Sequence, residues 1–157
     1  MTIDDKYMLM AIEEAKIAEN NGEVPIGAII VKNGIVIGRG RNKKEENKNP
    51  ISHAEIEAIY DACNFVGDWR LNGSVMYVTA EPCIMCAGAI IHARIDKVVF
   101  GVLEKKFGGI VSQASIFNIP TLNHKINFSY GIYKNEISNM MKSFFVKLRK
   151  KDMDINK

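Results

Sequence analysis

The sequence predicts an α/β fold of three layers, in which helices cover both faces of one mixed, five-stranded sheet. An amphipathic segment is followed by two β-branched runs on either side of Asn33-Gly34, which indicates an antiparallel hairpin near the N-terminus. A strand, a helix and a strand then follow one another between Val75 and Gly101, the order of a βαβ unit with parallel strands. The chain of 157 residues suits one compact domain, residues 1–157.

The first 40 residues supply a helix and the hairpin. From Asp4 to Asn21, apolar residues recur at steps of three and four, which predicts a helix with one buried face. Gly22 ends it. The hairpin strands are predicted at Gly27–Val31 and Ile35–Gly40.

The remaining chain is predicted to alternate loops, helices and strands. Segment Arg41–Ser52 is polar and contains Asn49-Pro50, so we interpret it as a surface loop. The elements predicted after it are helix His53–Phe65, strand Val75–Thr79, helix Cys83–Ala93, strand Lys97–Gly101, short helix Ser112–Phe117, strand Lys125–Phe128 and helix Lys134–Leu148. Residues 151–157 are predicted to be a frayed tail.

Composition and charge exclude several classes of protein. The hydrophobic share of 47% and the charged share of 25% are those of a globular rather than a disordered chain. There is no long apolar run and no secretory leader, so we expect no membrane partner and a cytoplasmic location. The net charge of +3 is too small to indicate nucleic-acid binding by itself.

The cysteines favour metal or redox chemistry. Their number, three, is odd, and Cys83 and Cys86 lie three residues apart. With His53 they offer one nitrogen and two sulfur ligands, a set that suits zinc. Structural zinc sites have four protein ligands, whereas catalytic ones have three and a position for water. The residues that could close the site into a structural one are His92, His124 and Cys63.

Glu55 lies two residues after His53 and is predicted to transfer protons in a hydrolytic reaction. The alternative is an ordinary exposed carboxylate on a helix. For Cys83 and Cys86 the alternative is a thioredoxin-like redox centre, which leaves His53 and Glu55 without a role. The predicted place of both cysteines, at the beginning of a helix, favours their thiolate form.

The pattern H-x-E at 53–55 and P-C-x-x-C at 82–86 resembles the signature of the zinc nucleoside and nucleobase deaminases. Nearly the full chain resembles the bacterial tRNA-specific adenosine deaminases, in segments Gly22–Ala28, Gly40–Asn42, His53–Glu55, Glu81–Ala89 and Ile91–Ile95. The resemblance implies hydrolysis of the wobble adenosine to inosine in the anticodon loop of an arginine tRNA. It also implies a homodimer of cytidine-deaminase-like fold, with one Zn²⁺ per subunit at His53, Cys83 and Cys86 and with Glu55 as the proton shuttle.

The same resemblance implies a substrate pocket. Asn42 is expected to hydrogen-bond the base, or alternatively to cap its own loop, and the pocket is expected to be shaped by Pro25, Ile26 and Ala28. Family members usually carry aspartate where this chain has Glu104, and leucine where it has Ala80. Glu104 is expected near the ribose, where RNA is distinguished from DNA.

Basic and aromatic residues in the last third of the chain are expected to contact the RNA stem-loop. They are Lys105, Lys106, Phe144, Phe145 and Arg149. The alternative for the C-terminal helix is a solvated basic face over two core phenylalanines. Two alternatives remain for the function. One is a deaminase of a free nucleobase or nucleoside, such as guanine, cytosine or cytidine, and the other is a non-catalytic protein stabilised by zinc.

Overall fold

A mixed sheet with strand order β2-β1-β3-β4-β5 forms the middle layer. The structure is a computed structural model and describes residues 1–156. Its elements are α1 (Ile3–Asn20), β1 (Gly27–Lys32), β2 (Ile35–Arg41), α2 (Lys44–Asn47), α3 (Ala54–Val66), β3 (Ser74–Ala80), α4 (Ile84–His92), β4 (Lys97–Val102), a 3₁₀ turn (Ile116–Asn118), β5 (Asn127–Tyr130) and α5 (Lys134–Ile155). Among these residues, no helix combines the length and the apolar character needed to cross a membrane.

The strand directions bring distant segments of the chain to one end of the sheet. Strand β1 is antiparallel to both of its neighbours, whereas β3, β4 and β5 are mutually parallel. Strands β2, β3, β4 and β5 therefore all run in one direction and finish together, and β1 begins where they finish. We call this the carboxyl end of the sheet. The segments that follow Arg41, Ala80, Val102 and Tyr130, and the one that precedes Gly27, all lie there.

The helices cover both faces of the sheet, which confirms the predicted three layers. Helices α1 and α5 share one buried cluster with Ile29 and Val99, and α3 and α4 share the other with Ile30 and Phe100. Glycine permits a close approach of α3 to β2: a Cβ atom on Gly40 would lie 2.1 Å from the Ala54 carbonyl oxygen. This contact places the beginning of α3 directly against the end of β2.

Strands β1 and β2 form the hairpin that the Asn33-Gly34 sequence predicted. Asn33 and Gly34 have φ angles of 52° and 75°, the left-handed pair that a two-residue hairpin turn requires. The polar segment before His53 is not wholly a loop, because Lys44–Asn47 forms the short helix α2. The backbone N–H groups of Glu45 and Glu46 donate to the buried Glu23 carboxylate, which stabilises this turn of helix.

Three predictions for the second half of the chain are wrong in whole or in part. Of the short helix predicted at Ser112–Phe117, only the 3₁₀ turn Ile116–Asn118 is present. The N–H groups of Ala114 and Ile116 bond to the carbonyls of Gly108 and Gly109, six and seven residues earlier, which is not an α-helical pattern. The tail is not frayed over 151–155, since α5 continues to Ile155 without a glycine or proline to stop it, while position 157 lies outside the described residues. Strand β5 also begins later than predicted, at Asn127.

Candidate active site

The N-terminal ends of α3 and α4 lie side by side at the carboxyl end of the sheet, and they bring together a histidine and two cysteines. His53 is the N-cap residue of α3, Cys83 is the N-cap residue of α4, and Cys86 lies in the first turn of α4. The Nδ1 atom of His53 is 3.6 Å from the Cys83 Sγ atom and 3.5 Å from the Cys86 Sγ atom. All three potential ligand atoms lie within 4.8 Å of one another.

These distances fit a tetrahedral zinc ion. With Zn–S bonds of about 2.3 Å and Zn–N bonds of about 2.0 Å, tetrahedral angles put nitrogen and sulfur roughly 3.5 Å apart. Within residues 1–156, no fourth histidine, cysteine or carboxylate joins the group. His124 instead bonds the Ile95 carbonyl, and Cys63 donates to the Trp69 carbonyl. The number of candidate ligands, three, is the number that catalytic zinc sites use, whereas closed structural sites use four.

The cysteine pair is electrostatically asymmetric. A hydrogen bond from the Cys86 thiol, partly opposed by burial and reinforced by His53, lowers the pKa of Cys83 to about 4. The same hydrogen bond, together with burial, raises the pKa of Cys86. The Cys86 backbone N–H also donates to the Cys83 sulfur, over 3.5 Å. Cys83 is thus a thiolate, and the remaining proton of the pair is on the Cys86 sulfur. A divalent cation displaces such a proton when it binds.

Glu55 lies beside this group and is buried. Glu55 occupies the first turn of α3 and is only 4% exposed to solvent. Burial raises its pKa to about 7, with a further small contribution from the Cys83 charge. The structure therefore contradicts the alternative of an exposed helix carboxylate. A carboxyl group in such a setting can accept and return a proton near neutral pH.

Asn42 follows β2 and ties the adjacent loop to the metal-ligand helix. Its Oδ1 atom accepts a hydrogen bond of 2.9 Å from the Ala54 N–H. Asn42 therefore has a capping role, at the first N–H group of α3, and none of the hydrogen bonds found among residues 1–156 uses its amide nitrogen. Ile26, half-buried, accepts from the Asn42 backbone N–H, and Pro25 is buried next to it. Ala28 is fully buried, in the core cluster that also contains Ala54 and Ala58 of α3.

The loop after β4 and helix α5 enclose a groove of about 860 Å³. Its lining includes Glu104, Lys105, Lys106, Phe145 and Arg149, all expected to contact substrate. The Glu104 Oε1 atom accepts from the Lys106 N–H, so part of this carboxylate shapes the loop itself. The structure thus brings most of the candidate RNA-binding residues into one groove.

Phe144 lies on another side of α5. It lines a groove of about 350 Å³ together with Asn42 and Lys44. The rings of Phe144 and Phe145 meet edge to face, with centroids 5.3 Å apart. Phe145 is 37% exposed and Phe144 is half-buried, so the two are not the core phenylalanines of the alternative interpretation. Helix α5 therefore separates two grooves near the carboxyl end of the sheet.

Sequence reasoning missed two buried carboxylates. Glu23 and Glu81 are each 3% exposed and accept hydrogen bonds mainly from backbone N–H groups of neighbouring loops. Their sequence signal was an acidic residue placed immediately before an apolar or metal-binding segment, at Glu23-Val24-Pro25 and Glu81-Pro82-Cys83. That signal does not show which loop such a carboxylate holds.

Comparisons with known proteins agree on the class of chemistry. Residues 3–149 match the family described as MafB19-like deaminase. A protein of Bacillus subtilis (strain 168) named tRNA-specific adenosine deaminase is 45% identical over 151 residues, covering 96% of this chain and 94% of that protein. One of the same name from Aquifex aeolicus (strain VF5) is 47% identical over 143 residues, covering 91% of this chain and 94% of its own.

Solved structures of deaminases also superpose on this chain. A structure from work on A-to-I editing by tRNA:A34 deaminases superposes with a TM-score of 0.83 at 39% identity, covering 86% of this chain and 98% of that one. A guanine deaminase from Nitrosomonas europaea superposes with a TM-score of 0.79 at 18% identity, covering 92% of this chain and 85% of that one. At that identity the second likeness shows a common fold only.

Proposed function

We propose, from the premise that this chain belongs to the tRNA-specific adenosine deaminase family, that it hydrolyses the wobble adenosine of a tRNA anticodon loop to inosine and releases ammonia. The observation that carries the proposal is the three-ligand group of His53, Cys83 and Cys86 beside the buried Glu55. The cytidine-deaminase-like fold agrees with it. We propose an arginine tRNA as the substrate and the cytoplasm as the location.

The proposed cofactor is one Zn²⁺ per subunit, held by the His53 Nδ1 atom and the Cys83 and Cys86 sulfur atoms. The fit of the nitrogen–sulfur distances to tetrahedral zinc supports this assignment. When bound, zinc supplies a water activated for attack, because it lowers the pKa of that water from 15.7 toward about 7.

Glu55 is the proposed proton carrier. It takes a proton from the attacking water as the new C–O bond forms at the amino-bearing carbon of the adenine. It gives this proton to the adjacent ring nitrogen. It then takes the second proton of the water from the newly added hydroxyl group and gives it to the amino group, as the C=O bond forms, the C–N bond breaks and ammonia leaves. Its burial supports the role, since a shielded carboxyl group exchanges protons with the substrate rather than with bulk water.

The substrate base is proposed to lie between the loops at the carboxyl end of the sheet. The Asn42 amide nitrogen donates to the base, Pro25 and Ile26 form one wall, and Ala28 supports the pocket from below through α3. Glu104 contacts the ribose in this proposal, and the support for it is that the Lys106 N–H uses only one of its two carboxylate oxygens. In this proposal the substrate nucleotide is turned out of the RNA stack into the pocket, and the protein recognises both its base and its ribose.

The rest of the RNA stem-loop is proposed to bind along α5. Lys105, Lys106 and Arg149 neutralise phosphates, and Phe145 offers a partly exposed ring for stacking. Phe144 acts from the neighbouring groove beside Asn42. Between Lys142 and Lys151 the helix carries no acidic residue, which supports an RNA-binding face.

We also propose a homodimer formed through the outer faces of α3 and α4. Large apolar side chains are exposed on these helices and on the segment before α3. They are Ile51, Tyr60, Phe65, Val66, Ile84 and Met85. A patch of this kind on a folded chain marks a surface that binds a partner, and a second copy offers the matching apolar face.

The test is ammonia release and inosine formation by the zinc-loaded protein. An arginine tRNA anticodon stem-loop, free adenosine, guanine, cytosine and cytidine are offered side by side. Inosine from the stem-loop alone supports the proposal. If a free base or nucleoside is deaminated and the stem-loop is not, the proposed chemistry stands and the proposed substrate is wrong. Activity that persists after Glu55→Gln overturns the proposed proton carrier.

A further inference from the structure

Glu81 has more hydrogen-bond partners than a buried carboxylate needs for its own solvation. Its Oε1 atom accepts from the Glu104 N–H over 3.0 Å and from the Ser112 hydroxyl. Its Oε2 atom accepts from the N–H groups of Ile110, Val111 and Ser112, at 3.2, 2.8 and 3.0 Å. No cation pairs with it among residues 1–156. Backbone dipoles and one hydroxyl therefore stabilise the charge, as in an anion-binding nest.

The loop from 104 to 112 is folded around this carboxylate. A Cβ atom on Gly108 would lie 2.3 Å from the Glu81 carboxyl carbon, so only glycine allows the loop to pass this closely. Gly109 donates its N–H to the Pro82 carbonyl over 2.8 Å, and Gly108 forms an isolated β-bridge with Cys83. The loop is thus joined both to the Glu81 side chain and to the backbone beside a metal ligand.

Glu81 connects two parts of the candidate site, the turn that carries Cys83 and the loop that begins at Glu104. Glu81 lies two residues before Cys83, which is held at the start of α4. The first loop residue that it holds is Glu104, which begins the turn containing Lys105 and Lys106. One buried carboxylate therefore sets the position of the groove wall relative to the metal-binding turn.

We propose that Glu81 is a positioning residue that holds the 104–112 loop in the conformation that binds the RNA substrate. This proposal rests on the proposed function, because the substrate of the groove is taken to be the anticodon stem-loop. Glu81 touches neither the substrate nor the reacting atoms. Its effect is on substrate affinity, transmitted through the loop, and not on the chemical step.

The test is Glu81→Gln, which preserves shape but replaces one acceptor oxygen with an NH₂ group. The Ser112 hydroxyl can rotate to accept from that group, whereas the Glu104 N–H cannot and loses its partner. We expect KM for the stem-loop to rise about tenfold while kcat stays within about threefold. Zinc content should remain one per chain. Amide hydrogen exchange at 104 and 110–112 should accelerate about tenfold or more.

The matched control is Glu14→Gln, which removes another buried carboxylate, one on α1 paired with Arg41 and without contact to this loop. It should leave both loop exchange and KM within about twofold. Unchanged loop exchange and KM in Glu81→Gln overturn the proposal, and so does a loss of kcat or zinc at unchanged KM. If that variant does not fold, Ser112→Ala removes one partner of the same oxygen, and it should raise KM about twofold to threefold.

The two proposals fail separately. If the wild-type protein does not deaminate the stem-loop, the proposed function is wrong, and hydrogen exchange at 104–112 still decides whether Glu81 holds the loop. If the wild type is active and the Glu81→Gln variant keeps its KM, the function stands and the role of Glu81 is wrong.

Discussion

Replacing Gly40 with alanine tests whether the metal site depends on the contact between β2 and α3. The added Cβ atom would lie 2.1 Å from the Ala54 carbonyl oxygen and 2.4 Å from the Ala58 nitrogen, both backbone atoms of α3. Ordinary contacts of a Cβ atom begin at 3.4 Å, and no flexible side chain can move aside here. The beginning of α3, and His53 with it, must therefore shift by roughly 1 Å away from the sheet.

A shift of this size is large for a metal site. Ligand distances in working sites stay within about 0.2 Å of their ideal values. We expect zinc affinity to fall by about 10-fold to 100-fold, as it does when outer supports of a ligand are removed. Turnover should fall by about 100-fold even at saturating zinc, because Glu55 moves with the same helix. Overpacking should lower the free energy of unfolding by about 1–3 kcal/mol.

Gly38→Ala is the matched control. Its Cβ atom would meet the Ala58 carbonyl oxygen at 2.5 Å and the Ala62 side chain at 2.8 Å, on the same helix but farther from the metal ligand. Both variants should unfold at lower denaturant concentration, and only Gly40→Ala should lose zinc in competition with a chelator. Equal zinc affinities in the two folded variants would refute the reasoning, because the displacement would then not reach His53.

Three further predictions concern the other parts of the site. Glu55→Gln should keep one zinc per chain and lose about 10²–10⁴-fold in kcat, while joint loss of zinc, measured by metal analysis, would make Glu55 a structural residue. Arg149→Ala should weaken stem-loop binding and reduce the slope of log affinity against log salt by about one, whereas Lys125→Ala, at the opposite end of the sheet, should leave the slope unchanged. If the proposed homodimer forms through the outer face of α3, Tyr60→Asp should convert it to monomer in sedimentation, and an unaltered mass would exclude that face as the interface.

Local patterns predicted the elements that local chemistry determines. The Asn33-Gly34 turn was confirmed because its left-handed residues are specified by two adjacent amino acids. The three candidate ligands lie together because the spacing of Cys83 and Cys86 already places both at one helix start, and only His53 had to be brought to this cluster. Its zinc occupancy and the roles of the pocket residues stay predictions.

Non-local contacts account for the errors. The segment 112–117 has apolar residues at helical spacing, but the Glu81 carboxylate takes three consecutive N–H groups that end at Ser112. A residue about 30 positions earlier in the chain thus decides its conformation. The extension of α5 to Ile155 shows the opposite error, in which a charged, exposed segment was interpreted as disordered although each of its residues tolerates a helix.

The end of the sheet opposite the candidate site offers two turns at which a label can be inserted. The turn at Asn33-Gly34 and the glycine turn at Gly73 lie there, with β1 and β3 between them and the metal ligands. A strand of this length spans roughly 20 Å, so a peptide inserted in either turn stays clear of the nucleotide path. Exposed hairpin tips tolerate insertion well. These turns are therefore the positions at which a fluorophore, an affinity tag or a second protein can be attached while the proposed tRNA-binding surface is left intact.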